Sequence, residues 1–270
     1  MKIIDCFTFY NELDMLEFRL NELDDVVDYF VLVECTKTFT NKDKELYFEN
    51  NKSRFSKFLH KIIHIIAKDN IPQTSNAWDI EHFQRRCIDK GIKQLELSND
   101  DDIIIISDLD EIPDSNTLQN LKNNKDINGI NGINGINGIY NLEMDLYYYN
   151  LRCKYITKWE FPKILNYGSY NGDPQYIRCN SNLEGNIENG GWHLSYFGNV
   201  EFIKNKIRSF SHQDLNNRYV LNDARIIRQI QNNYDLFGRN EYKPQYIDIA
   251  SNTYLPKKYK EFLHILDKKL

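Results

Sequence analysis

Asp108, Asp110, Glu111 and Asp114 place four carboxylates within seven residues, directly after four consecutive isoleucines, in the stretch DDIIIISDLDEIPD. In an extended segment alternate side chains share a face, so Asp108 and Asp110 point one way and Leu109 points back toward the core. Two hard oxygen ligands at that spacing can hold a divalent cation directly or through its water. Mg2+ or Mn2+ with substrate phosphates completing the shell is the natural occupant. A lone D-x-D is a weak signal, but one that ends a buried strand is rigidly placed. An EF-hand loop is excluded, because Ile112 and Pro113 stand where that loop requires ligand and glycine. A phosphate-ester hydrolase with an aspartyl nucleophile is an alternative, although such enzymes usually carry the motif on their first strand with a small hydroxyl residue after it. Asp114 is expected to cap the helix begun by SNTLQNL, and Asp100, Asp101 and Asp102 are expected only to solvate a turn.

The elements that must position these acids are legible as apolar runs. Ile103–Ile106 are stiff, β-branched residues between polar flanks, as in a strand buried on both faces. Ile3–Phe9, VVDYFVLVEC and KIIHIIA read as three earlier strands, and LDMLEFRLNEL as a helix with Leu13, Leu16, Leu20 and Leu23 at helical spacing. The stretch NAWDIEHFQRRCIDKGIKQL reads as one helix that buries Ile80, Phe83, Cys87 and Ile88 and turns Gln84, Arg85 and Arg86 elsewhere. Strands alternating with helices imply parallel β-α units, whose ligand crevice lies beyond the strands' C-terminal ends.

After Pro113 the pattern changes. Residues 128–139 repeat one Asn-Gly-Ile triplet, which reads as a low-complexity surface loop, without the proline that collagen would need. IYNLEMDLYYYNL resumes extended structure, and Tyr147, Tyr148, Tyr149 and Trp159 make the second half aromatic-rich. Those rings are expected in a core, with stacking on sugar faces, as in a non-catalytic carbohydrate-binding module, as the alternative. GGWHLSYFG reads as a short strand between glycine turns, and VEFIKNKIRSFSH and DARIIRQIQNNY as closing helices.

With 270 residues, 41 % of them hydrophobic, the chain can bury a full core as one catalytic domain: a nucleotide- and metal-binding half over 1–115, the loop over 128–139, and an acceptor-side half over 140–270. A net charge of −5 argues against nucleic acid or an anionic membrane as partner. Five cysteines without C-x-x-C spacing are expected to be reduced and mostly buried. No apolar run approaches the ~20 residues of a membrane helix, and no signal peptide is visible, so a cytoplasmic or otherwise non-secretory location is expected.

Taken in order, IDCFTFYNELDMLEFRLNEL, FVLVECTKTFTNKDKELYFENNKSRFSKF, KIIHI, DDIIIISDLDEIPD and GGWHLSYFG with IKNKIRSFSH resemble glycosyltransferase family 17, over about residues 3–215. The animal members of that family are Golgi-anchored β-1,4-N-acetylglucosaminyltransferases acting on the β-mannose of N-glycans. The resemblance implies an α/β fold of GT-A type with a central, mostly parallel sheet flanked by helices. It also implies a UDP-N-acetylglucosamine donor, a Mn2+ or Mg2+ cofactor, a glycan or glycoprotein acceptor, and inversion at the anomeric carbon. Asp108 and Asp110 would then hold the metal on the diphosphate, with His193 as a third ligand and Glu111 behind them or on the donor sugar. Tyr10, Asn11, Glu12 and Glu34 would border the uridine, and Arg85 would pair with phosphate or orient Asp108. Lys206, Arg208 and His212, with Ser209 and Ser211, would neutralise the leaving UDP. Inversion needs a base, and the candidates are Glu188 first, then Asp145 and Glu143, with Asp173 and Glu184 behind them.

Overall fold

The computed structural model of the chain describes residues 1–98, 102–123, 136–239 and 242–267. Among the described residues ten strands form one sheet: β1 Ile3–Phe9, β2 Tyr29–Cys35, β3 Ile62–Ala67, β4 Ile103–Asp108, β5 Glu111–Pro113, β6 Ile139–Tyr148, β7 Cys153–Trp159, β8 Lys163–Asn166, β9 Gly185–Ser195 and β10 Pro244–Tyr246. The helices that bear on the site are α1 Leu13–Leu23, α2 Tyr47–Asn50, α3 Ala77–Arg86, α4 Ile88–Ile92, α5 Ser115–Lys122, α6 Pro174–Cys179 and α7 Val200–Ser209; α8 Asp223–Gln231 and α9 Leu263–Leu266 follow.

The path runs β10-β7-β6-β8-β4-β1-β2-β3, with β9 joined to β6 and β5. Its β3-β2-β1-β4 half is parallel throughout, as the β-α alternation implies. β1 and β4 are covered on both faces, which is why they are continuously apolar. One layer packs Phe7, Leu16, Phe18, Ile103 and Ile105 under α1, and the other packs Cys6, Ile104, Ile106, Ile88 and Ile177 under α4 and α6. Beyond β4 the expectation of a mostly parallel sheet gives way to a mixed one, in which β9 runs parallel to β6 and the other pairings are antiparallel. β8 lies antiparallel to β4 and β6, and β7 antiparallel to β6 and β10. The link from β6 to β7 is too short to carry a crossover helix, so the chain must reverse there, and β8 continues along β6 in the direction of β7. The result is a mixed α/β fold.

Several local readings need correction. The predicted single helix around Arg85 is two, parted at Cys87, whose N–H is shared between the carbonyls of Phe83 and Gln84. Gln84 and Arg85, expected away from the core, are 3 % exposed, while Phe83 is only half-buried. Asp102 does not solvate a turn: it is buried and accepts the backbone N–H of Lys2 and Ser98. Asp100, Asp101 and the repeat up to residue 135 lie outside the described residues, but at the end of the repeat Ile136 is buried and Ile139 opens β6. GGWHLSYF is no short strand between turns; its glycines lie inside the eleven-residue β9. All five cysteines are free and four are buried. Tyr147, Tyr148 and Tyr149 are core residues. Among the described residues, no helix is long and apolar enough to cross a membrane.

Candidate functional site

The buried isoleucine strand delivers Asp108 to the end of β4, in register with Thr8 of β1. Leu109 and Asp110 then turn the chain into β5, which pairs with β9 so that Glu111 stands opposite His193. That pairing needs two glycines. A Cβ on Gly191, whose φ is +141°, would lie 2.0 Å from the Ile112 carbonyl oxygen, and one on Gly190 would lie 2.8 Å from the Glu143 backbone. The sequence pair GG is therefore what lets β9 pass between β6 and β5.

Around the acids the structure gathers cations from three distant segments. Arg85 of α3 donates to Asp108 Oδ1 at 2.9 Å, to Glu81 Oε1 at 2.7 Å and to Gln175 Oε1 at 2.6 Å. Arg178 of α6 donates to Asp108 Oδ2 at 3.1 Å and to Glu111 Oε1 at 2.6 Å. Lys206 of α7 donates to Asp110 Oδ2 at 2.7 Å and stands 3.3 Å from Glu12 Oε1. His193 Nε2 is 3.6 Å from Asp110 Oδ2. Burial by itself would raise the pKa of Asp108, but Arg85 and Arg178 outweigh it and hold the group at about 2. Asp110 is likewise held far below the carboxylate range, Lys206 and His193 overcoming its burial. Both acids are ionised at neutral pH.

Two residues that sequence reading missed complete the arrangement. Arg178 is one; only the N-cap Asp173 and Pro174 hinted at a helix there, and nothing local linked it to β4. The other is Arg19, wholly buried on α1. Its Nε and Nη2 donate to the two Asp5 oxygens, its Nη2 also to Ser107 Oγ, and its Nη1 to the carbonyls of Asp108, Leu109 and Glu111 at 2.8, 2.9 and 2.9 Å. One guanidinium thus fixes the backbone that carries the acid pair. Glu111, 0 % exposed, closes the same turn by accepting the Asp108 N–H at 2.7 Å and the Trp159 indole N–H at 2.5 Å.

Of the other predicted residues, Tyr10 reaches Ser209 Oγ at 3.3 Å and its ring meets Tyr47 edge-on. Asn11 and Glu12 line a cavity of about 330 Å3 beside Asp110 and Lys206, with Leu194, Phe202 and His264 on its other walls. Glu34 is wholly buried, where it accepts the Phe48 and Glu49 N–H groups at the start of α2 and lies 3.2 Å from His64 Nε2. Arg208 is exposed: two positions beyond Lys206 on a helix, its side chain leaves on nearly the opposite side. His212 is exposed against Trp78, while neighbouring Ser211 donates to the Glu81 carboxylate that holds Arg85.

The carboxylates considered as base are not brought to the acid pair. Leu146 pairs with His193 and Asp145 with Trp192, so Asp145 lies on the sheet face opposite His193. There it binds Lys154 and Lys158, and Glu143 shares Lys158 at 3.5 Å. Glu188 is exposed in the irregular stretch of β9 between Ile187 and Gly191, roughly 15 Å of strand before His193. That stretch packs on α5 through Thr117 and Asp114. Asp173 caps α6, and Glu184 is exposed beside Gly138. Asp114 caps α5 as expected, accepting the Asn116 N–H.

A divalent cation was expected at the pair. Among the described residues no three His, Cys, Asp or Glu side chains converge on one point. Five carboxylates (Glu12, Glu81, Asp108, Asp110, Glu111) against three permanent cations (Arg85, Arg178, Lys206) nevertheless leave two negative charges over. Asp110 with His193 is a donor set that suits Mn2+ or Mg2+ when substrate oxygens and water supply the remaining ligands. The residues fit the ion.

The sequence model of glycosyltransferase family 17 matches residues 1–265. The chain is 24 % identical to β-1,4-mannosyl-glycoprotein 4-β-N-acetylglucosaminyltransferase from Rattus norvegicus over 98 % of its own length and 54 % of that protein's. The Homo sapiens protein of that name is also 24 % identical, over 98 % of this chain and 55 % of its own length. The chain thus spans about half the length of the curated relatives it matches. The matched region contains every strand and every charged residue of the β4–β5 site, and the chain belongs to glycosyltransferase family 17.

Proposed function

We propose that the chain is a metal-dependent, inverting glycosyltransferase of GT-A type that moves N-acetylglucosamine, or a related sugar, from a UDP-sugar to a hydroxyl of a β-mannose-containing glycan. The observation that carries this reading is the cluster at the end of β4: two ionised carboxylates with a surplus of two negative charges, flanked by Arg85, Arg178 and Lys206. A nucleoside diphosphate with its divalent cation has the charge distribution that such a site complements. Family membership favours this over a phosphate-ester hydrolase or a non-catalytic module, and the relatives' names supply the acceptor.

Asp110 and His193 would hold the cation, with Asp108 reaching it through water; when bound, it would offset charge on the leaving diphosphate. The chain's own cations act beside it. Arg85 and Arg178 are fixed by Glu81, Gln175 and Glu111, so their guanidinium groups need no reorganisation to face phosphate. Lys206 is a donor on a rigid helix that can exchange Asp110 for a phosphate oxygen.

Calorimetric titration of UDP with and without Mn2+ tests this. Metal-dependent binding, abolished in Asp110→Ala, together with slow Mn2+-dependent hydrolysis of UDP-N-acetylglucosamine, is the expected result. UDP binding that is absent, or indifferent to the metal and to Asp110, would overturn it.

A further inference from the structure

An aromatic ladder leads from the acid pair to solvent. The His193 ring is 4.4 Å from that of Trp159, and Trp159 is 4.6 Å from Phe161, which is 54 % exposed. Large aromatic rings are normally withdrawn from water, and the neighbouring rings Tyr147, Tyr148, Tyr149 and Tyr155 are buried. Phe161 is not left exposed by disorder of its loop. Lys163, itself buried, donates its ammonium to the Phe161 carbonyl at 2.8 Å and lies 3.4 Å from that of Glu160. The Arg178 guanidinium stands 5.7 Å from the Phe161 ring centre, and Trp159 is pinned by its indole N–H to Glu111. A rigid, exposed aromatic face whose anchors also hold Asp108 is preorganised to receive a ring with an apolar face.

We infer that Trp159 and Phe161 form the platform on which the acceptor's pyranose ring stacks, a subsite that rests on the transferase reading. The placement selects acceptor over donor. Trp159 ends β7 and Phe161 lies in the β7–β8 link, on one side of β4 in the sheet, whereas the loops after β1 and β2 that would face UDP lie on the other side of β4. The axial C–H groups on one face of a β-mannoside meet the aromatic ring, and the polar edge of the sugar remains free for its reacting hydroxyl to face the donor. The exposed position of Phe161 makes this a binding role, separate from the buried aromatic core.

Saturation-transfer NMR with methyl β-mannoside, in the presence of UDP and Mn2+, tests the assignment. Wild type should show contact to the ring hydrogens of one sugar face. Phe161→Ala should weaken sugar binding about 5- to 10-fold with UDP affinity unchanged, and Phe161→Tyr should keep it. Absent sugar binding in wild type, equal binding in Phe161→Ala, or a matching fall in UDP affinity would each overturn the platform. Loss of UDP binding by wild type would instead overturn the transferase reading, and the sugar titration would then decide the platform alone.

Discussion

Arg19→Lys isolates the residue that holds the D-x-D backbone. Lysine keeps a positive charge against Asp5, so no buried carboxylate is left without a counter-ion, the situation that would otherwise cost about 3–5 kcal/mol. What one ammonium cannot do is bind Asp5 on one side and three carbonyls on the other. The guanidinium's Nη1 has two hydrogens for the carbonyls of Asp108, Leu109 and Glu111, so the substitution removes the equivalent of two charge-assisted bonds. At about 1.5 kcal/mol each, the lower end for such bonds, the loss is about 3 kcal/mol. Urea unfolding should therefore show a lower midpoint that corresponds to that free-energy loss, without a change in slope. Because the freed carbonyls belong to the residues that carry the acid pair, the affinity for UDP in the presence of Mn2+ should also fall at least about tenfold, under conditions where the variant is still folded. A stability loss below about 1 kcal/mol, or normal stability loss with unchanged UDP affinity, would refute the claim that Arg19 positions the turn.

Asp108 is held at about 2 in the folded chain, below its ordinary value, so it contributes stability in full above about pH 4 and loses that contribution as pH falls from about 4 toward 2. Unfolding free energy measured between pH 5 and 2.5 should drop more steeply for wild type than for Asp108→Asn, and parallel curves would contradict the pairing with Arg85 and Arg178. Gly191→Ala should destabilise by about 2–4 kcal/mol, since the added methyl meets the Ile112 carbonyl at a φ of +141°, and a melting temperature within a degree of wild type would show that β9 can shift to absorb it.

Local physics made much of this protein legible in its residues alone. The isoleucines of β4, the alternating helices of the first half, the D-x-D at a strand end and the Asp114 cap follow from side-chain shape, periodicity and capping chemistry over a few neighbours. The direction of the second-half strands did not, because the short β6–β7 link that forces antiparallel pairing becomes visible only once strand ends are known. Nor, apart from Arg85, did the side chains that hold the acids and their turn. Arg19, Arg178 and Lys206 lie 89, 70 and 96 positions from the groups they bind, and no periodicity encodes contacts at that range. The same holds for the carboxylates set aside as bases. Asp145 and His193 come from different strands, and a single step of register decides whether they share a face. The sequence by itself determined which residues end β4 and how stiffly. Tertiary packing decided which cations meet them and which acids are turned away, since strand register and helix docking are properties of the whole sheet.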